Sequence, residues 1–297
     1  MDLSKISLTG EKPRREALGA KEEAYLVLDD GFVRLDAIYG DESDIVRRAR
    51  ITTYKRATKK VRPDKDLIRY LWTNEHTSPF GFIQLVFHVR APLFVARQWF
   101  RHRTGTREEA SEDYLETTDT RSATFHEMQE FSGRYASYPE EFYRPPLEQM
   151  QQQSGSNFQM RDGTVVGNAE EIRERMLQEQ NAACLNRRWY TSSGLAREVA
   201  RINTPLSQYT EFYWMQSLPN LLHWVKLRRH ESAQWEIRAY AQVLEYITSQ
   251  YFPASYRAWL ETVEGAYLSP AELAEIMTLV KDKVVPERLA KKLLKGA

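Results

Sequence analysis

The sequence runs to 297 residues, 42% hydrophobic and 28% charged, a size and balance that allow one large or two modest globular domains. Forty-two Lys and Arg against 41 Asp and Glu leave a formal charge of +1, which excludes a general nucleic-acid coat while allowing a local basic pocket. The opening MDLSKISLTGEKPRRE lacks the apolar centre of a signal segment, and no apolar run reaches about 18 residues, so a cytoplasmic chain without a membrane partner is expected.

In chain order, β-branched and apolar residues from Tyr25 to Leu35 predict a first strand, with a turn available at Asp29–Gly31. GDESDIVRRARITTYKR then runs at helical spacing through Ile45, Val46, Ala49 and Arg50, and a second helix is expected over Lys65–Asn74. Phe82–Arg90 alternates, with Ile83, Leu85, Phe87 and Val89 on one face, and reads as a strand. Pro92 suits the first turn of a helix over Leu93–Arg101, which leaves Arg101, His102 and Arg103 at a C-terminus where the dipole favours cations. Thr104–Glu127 is acidic and polar, and Gln149–Asn168 is rich in Gln, Ser, Gly and Asn; both read as loops or insertions. Further helices are expected over Ala169–Tyr190, near Gly194–Arg201, and over Asn220–Arg229 and Glu231–Gln250, with a strand at Ser207–Gln216 and shorter helices to the C-terminus. The order is α+β rather than strict βαβ alternation. No GxGxxG follows a strand and no GxxxxGK[ST] occurs, so Rossmann and P-loop readings fail.

Cys184 is the sole cysteine, which excludes an intrachain disulfide and a cysteine-built metal cluster, and no metal is expected. Its helical setting, NAACLNRRWY, makes it a packing residue. Three clusters can carry chemistry. QWFRHR, Gln98–Arg103, offers guanidinium groups that pair with phosphate or carboxylate, though the same residues suit a solvated helix end. EFSGRY, Glu130–Tyr135, combines a hydroxyl, an unobstructed backbone N–H and a guanidinium, as a phosphate site or an ordinary loop would. In LRRHESAQWEIRAYA, Arg228 stands at a helix-to-helix corner as an anion ligand, a C-cap or an ion-pair partner, while Glu236 and Arg238 read as helix-surface charges.

Taken together and in this order, these segments resemble the flavin-dependent thymidylate synthases, whose motif is Arg-His-Arg, seven residues, then Ser, within a longer RHRxxSxNExSxRY. GDESDIVRRARITTYKRATK, HTSPFGFIQLVFHVRAPLFVARQWFRHR and YTEFYWMQSLPNLLHWVKLRRHESAQWEIRAYA are each similar to family segments. Counting directly from Arg103 lands on Ser111 and puts Asp113 where arginine is required. An insertion at about 106–127 instead restores Glu130, Ser132, Arg134 and Tyr135 to family spacing, with Gln129 where asparagine is usual. The resemblance covers about residues 33–260 of a single domain, followed by a helical extension at about 261–297. It implies an α+β fold with a central mixed or antiparallel sheet flanked by helices, assembled as a homotetramer with active sites shared between subunits.

The implied reaction is reductive methylation of dUMP to dTMP, with FAD bound, NADPH as reductant and 5,10-methylenetetrahydrofolate as carbon donor. Carried over residue by residue, dUMP would meet Gln98, Trp99, Phe100, Arg101, Glu130, Phe131, Ser132, Gly133, Arg134, Arg201 and Arg228. FAD would meet Ser78, Arg101, His102, Arg103, Thr104, Glu130, the backbone of Ser217, Leu218 and Pro219, and His223. Arg228 matches the catalytic arginine that polarises the uracil edge; a guanidinium can stabilise charge at N3, O2 or O4 without giving up a proton. Gly81 and Phe82, like Ser217 and Pro219, depart from the residues usual at their positions. The acidic insertion sits where a lid would cover the site, leaving open a C5-methylase or hydroxymethylase of UMP or a modified uridine nucleotide. A non-catalytic flavin- or nucleotide-binding module is the reading from another class.

Overall fold

The computed structural model describes residues 15–17, 23–51, 63–101 and 128–263. The expected ligands His102, Arg103 and Thr104, the insertion at 106–127, and 264–297 of the C-terminal extension lie outside them. Among the described residues, β1 (Arg15–Ala17), β2 (Glu23–Val27), β3 (Gly31–Tyr39), β4 (Gln84–Pro92), β5 (Met128–Glu130) and β8 (Tyr209–Ser217) form one sheet. Its order is β1-β2-β3-β4-β8-β5, and every pairing is antiparallel, so of the two sheet types expected the antiparallel one is found. The strand expected over Tyr25–Leu35 is a hairpin: the chain turns after Val27, and Tyr25 pairs with Val33.

Alternation decides which face of the sheet is covered. Ile83, Leu85, Phe87 and Val89 are all fully buried, as their period of two requires, and Phe87 pairs across to Trp214. Three helices cover this face: α4 (Leu93–Phe100), α7 (Leu218–Arg229) and α8 (Trp235–Tyr251). Around them lie α1 (Glu42–Ile51), α2 (Asp64–Thr73), α3 (Ser78–Gly81) and α9 (Pro253–Val263). The helix α5 (Ala169–Ser192) and the short α6 (Arg197–Ala200) pack on the chain that follows β5, Gln180 donating to Tyr143 O at 3.3 Å and Arg197 to Tyr135 O at 2.9 Å.

The start of α4 is fixed by its donors. Pro92 takes φ −60° and ψ 147° as N-cap and has no N–H to leave unpaired. The next two amides, of Leu93 and Phe94, donate to the carbonyls of Gln208 (2.9 Å) and Leu206 (3.1 Å). First-turn donors that an isolated helix leaves open are thus spent on the approach to β8, and the helix direction is set. Its C-terminus is thereby aimed at the α7–α8 corner. Leu218 opens α7 in a similar way, its N–H donating to Ile83 O at 3.0 Å.

Where α4, α7 and α8 meet the sheet, their buried faces form an aromatic cluster with β8. The Trp99 ring centroid is 4.4 Å from that of Trp224, 5.3 Å from Trp214 and 5.7 Å from Tyr240. Burying each such side chain contributes roughly 1.5–3 kcal/mol. Tyr240 donates its hydroxyl to Arg90 O at 2.8 Å, and that hydroxyl occupies the space a Cβ on Gly31 would need. Gly31 is therefore required by close approach, not by its dihedral angles.

Two expectations are corrected. The stretch Gln149–Asn168, read as a loop or insertion without secondary structure of its own, contains a second hairpin, β6 (Gln151–Gln153) with β7 (Arg161–Val165). Its strands are polar and mostly exposed, so no buried face imprints a period on them. Glu236 is no surface charge: it is 2% exposed in the first turn of α8. Arg238 is half-buried, and burial lowers its affinity for its proton.

Candidate functional site

The expected ligands fall into two groups. The first hangs from the C-termini of α4 and α7. Arg228 is half-buried in the last turn of α7, its Nη2 donating to Gln98 O at 3.0 Å. Its Nε is buried without a hydrogen-bond partner among the described residues. Burial and then the positive charge of Arg101 hold the Arg228 pKa below its ordinary value. Two guanidinium groups held near each other, one with an unused buried donor, form a seat for an anion or a polarised carbonyl edge.

Gln98 is pinned from the same side. Its Nε2 donates to Oε1 of Gln234, the N-cap of α8. Phe100 is half-buried with its ring 4.9 Å from Phe212. Trp99 differs from its neighbours: its indole is fully buried in the aromatic cluster, so its side chain sets the pose of α4 and is withdrawn from any ligand.

The second group follows β5. Phe131 N–H donates to Glu211 O at 2.8 Å, which extends the pairing with β8 one residue beyond Glu130. The chain then turns tightly: Tyr135 N–H donates to Ser132 O at 3.1 Å, and Arg134 N–H to Ser132 Oγ at 3.3 Å. Gly133 is buried where any Cβ would run into the Tyr138 ring, so the turn admits no side chain there. Arg197 of α6 donates to Tyr135 O at 2.9 Å, and Glu198 beside it lies 3.5 Å from Arg134 Nε. One turn on, Arg201 faces the same small pocket, about 50 Å³, with Gly133, Tyr138 and Arg197. Arg197 was not anticipated; its i,i+4 spacing to Arg201 is the signal that could have found it.

Glu130 stands at the start of the second group, at the end of β5. Its carboxylate accepts from Thr210 Oγ1 at 2.9 Å. Burial raises its pKa, while the Thr210 hydrogen bond and the charges of Arg97 on α4 and Arg201 after α6 pull the other way.

The residues expected at FAD divide by availability. Ser78, Arg101 and His223 are exposed, and α3, which begins at Ser78, packs on α7, which carries His223. Partial desolvation of the ring against α7 and then Lys226 lower the His223 pKa, favouring a neutral imidazole. This donor set fits the phosphates and polar rim of a dinucleotide. In the Ser217–Pro219 segment, Ser217 is buried, and Leu218 has both its side chain and its N–H committed to the fold; Pro219 is half-buried and has no N–H.

Beside the first group lies a cavity of about 600 Å³, walled by Phe94, Met150, Met176, Gln180, Gln234 and Glu236. Glu236 accepts from Arg161 Nη2 at 2.7 and 2.9 Å and from the Tyr143 hydroxyl at 3.1 Å. Burial, and then the Glu236 charge, push the Tyr143 pKa far above its ordinary value, so the phenol stays a donor. These partners stand 75 and 93 residues from Glu236 in the chain, too far for local pattern to connect them. Cys184 is buried, and burial raises its thiol pKa, in keeping with a packing role.

Residues 35–254 match the family model described as thymidylate synthase complementing protein. The chain is 41% identical over 265 residues to a flavin-dependent thymidylate synthase of Thermus thermophilus, covering 89% of this chain and 88% of that protein. A flavin-dependent thymidylate synthase of Wolbachia pipientis wMel is 37% identical over 265 residues, with 89% and 86% covered. Among solved structures, the UMP/dUMP methylase PolB from Streptomyces cacaoi, bound with 5-Br UMP, superposes with a TM-score of 0.65 at 25% identity. That match covers 79% of this chain and 96% of PolB.

Proposed function

The chain belongs to the thymidylate synthase complementing protein family, the flavin-dependent thymidylate synthases, and on that premise we propose that the two groups together bind dUMP for reductive methylation. The overall change is dUMP + 5,10-methylenetetrahydrofolate + NADPH + H⁺ → dTMP + tetrahydrofolate + NADP⁺. When bound, FAD supplies the redox step between NADPH and the one-carbon unit, chemistry no side chain offers.

The observation that carries the reading is the Arg228 side chain, tied to Gln98 O, near Arg101, with Nε unspent. Placed at the uracil edge, its guanidinium stabilises negative charge at N3, O2 and O4 and so raises the nucleophilicity of C5. The Ser132–Arg134 turn, with Arg201, takes the 5′-phosphate. The Ser132 hydroxyl acts as a ligand, so no enzyme nucleophile is required, and Cys184 is not one. Ser78, Arg101, Glu130 and His223 hold FAD, with His102, Arg103 and Thr104 completing the set. We take the enzyme to act in the cytoplasm as a homotetramer whose two ligand groups meet across a subunit boundary. Among the described residues no helix is long and apolar enough to cross a membrane.

Anaerobic incubation of the flavin-loaded protein with NADPH, methylenetetrahydrofolate and dUMP should yield dTMP, read by chromatography. Bound flavin without product would reject the reading. Likeness to a UMP/dUMP methylase favours one second reading, acceptance of UMP. Parallel turnover of dUMP and UMP separates the two.

A further inference from the structure

We propose that Gln234 is a positioning residue for the nucleotide, acting through the side-chain amide of Gln98; this rests on the reading of Gln98 as a nucleotide ligand. Gln98 is held at both ends from the α7–α8 corner. Its main-chain carbonyl accepts from Arg228 Nη2, and its Nε2 donates to Gln234 Oε1. An unrestrained glutamine has three side-chain torsions, the last of them broad, and freezing them on ligand binding opposes affinity. With one N–H already engaged, the Gln98 amide points one way and keeps its Oε1 and second N–H for a ligand.

Gln234 can fix Gln98 because it is itself fixed. As N-cap of α8 it has φ −55° and ψ 137°, outside the helix, and its own placement follows from the first turn behind it. That turn is anchored by Glu236, which holds Arg161 of β7 and Tyr143. The buried charge is thus two residues from the contact it steadies. Gln234 also forms part of the wall of the 600 Å³ cavity, so Gln98 meets it at the boundary between that cavity and the first ligand group. Nothing in this arrangement requires Gln234 to touch the nucleotide.

The test is a double-mutant cycle on the flavin-loaded enzyme with Gln234→Met, Gln98→Met and both together, reading KM for dUMP and kcat separately. Methionine matches glutamine in length and removes the amide. Loss of one neutral hydrogen bond should raise KM in Gln234→Met about three- to tenfold while leaving kcat within about twofold. Gln98→Met should raise KM at least as much. The double variant should be no worse than Gln98→Met alone, because Gln234 then has nothing to position. Flavin absorbance checks that each variant is folded; if Gln234→Met does not hold flavin, Gln234→Asn, one methylene too short to reach, gives the same comparison. If the two losses multiply, Gln234 acts independently of Gln98 and the proposal is overturned while the site reading stands. A wild-type KM in Gln98→Met overturns both.

Discussion

Arg228 shows how a single side chain can be chemically specific before any ligand is present. One donor is spent on Gln98 O, another is buried and unspent, and Arg101 adds positive charge without competing for the same acceptor. Replacing it with alanine should lower kcat by about 10²–10³, the range seen when a transition-state donor is removed. Flavin should remain bound in that variant, because Arg228 is not among the proposed flavin ligands; turnover within twofold of wild type would reject the assignment. Glu211 is the residue whose titration bears on stability. It accepts from His88 Nε2 at 3.0 Å, and this bond holds its carboxyl pKa below the ordinary value against the opposing effect of burial. A carboxylate lowered in the folded state stabilises it above its unfolded pKa, and that gain is lost as pH falls through the folded value. Glu211→Gln should therefore be less stable than wild type at neutral pH, with the gap closing below about pH 4. Denaturation midpoints measured between pH 3 and 7 read this directly, and a gap independent of pH would count against it.

At the scale of elements, the first turn of α8 is where burial and charge conflict. Glu236 is buried, and its partner Arg161 belongs to a hairpin that is otherwise polar and exposed. Glu236→Gln should cost about 3 kcal/mol, at the lower end of the range for breaking a buried pair, since Arg161 keeps part of its surface in water. Urea unfolding would show it as a lower midpoint at unchanged slope; a change under about 1 kcal/mol would mean the pair is not needed. The same turn marks the edge of what can be read from sequence. β4 and α4 were legible because Leu85, Phe87 and Val89 repeat with the period of a half-buried strand and Pro92 punctuates the junction. The helix-to-helix corner at Arg228 and the turn at Ser132–Arg134 were legible from residue types, while the ligand roles proposed for them rest on family resemblance. Glu236 was not, because a carboxylate beside Ile237 looks like any amphipathic boundary until Arg161 and Tyr143 fold back onto it. The β6–β7 hairpin was missed for the converse reason: its polar strands bury too little to leave a period.

At the scale of the whole molecule, the two ligand groups hang from different elements, the C-termini of α4 and α7 on one side and the turn after β5 with α6 on the other. If subunits share the nucleotide between them, Arg134→Ala and Arg228→Ala damage opposite halves of each site. Dissociating and reassembling the two inactive variants together should then return activity well above either parent, since some sites receive two intact halves. A mixture no better than its components would argue that each protomer builds its site alone. The aromatic cluster between the helices and the sheet has a consequence of a different kind. Trp99 of α4, Trp224 of α7 and Trp214 of β8 sit with ring centroids 4.4 to 5.6 Å apart, on the buried side of the helices that also carry Gln98, Arg228 and His223. Indole emission overlaps the near-ultraviolet absorption of flavins, so these rings would be natural energy donors to a flavin held by the ligands proposed on α3 and α7. The enzyme therefore carries its own optical gauge: quenching of tryptophan fluorescence should report flavin loading in real time, with no label attached.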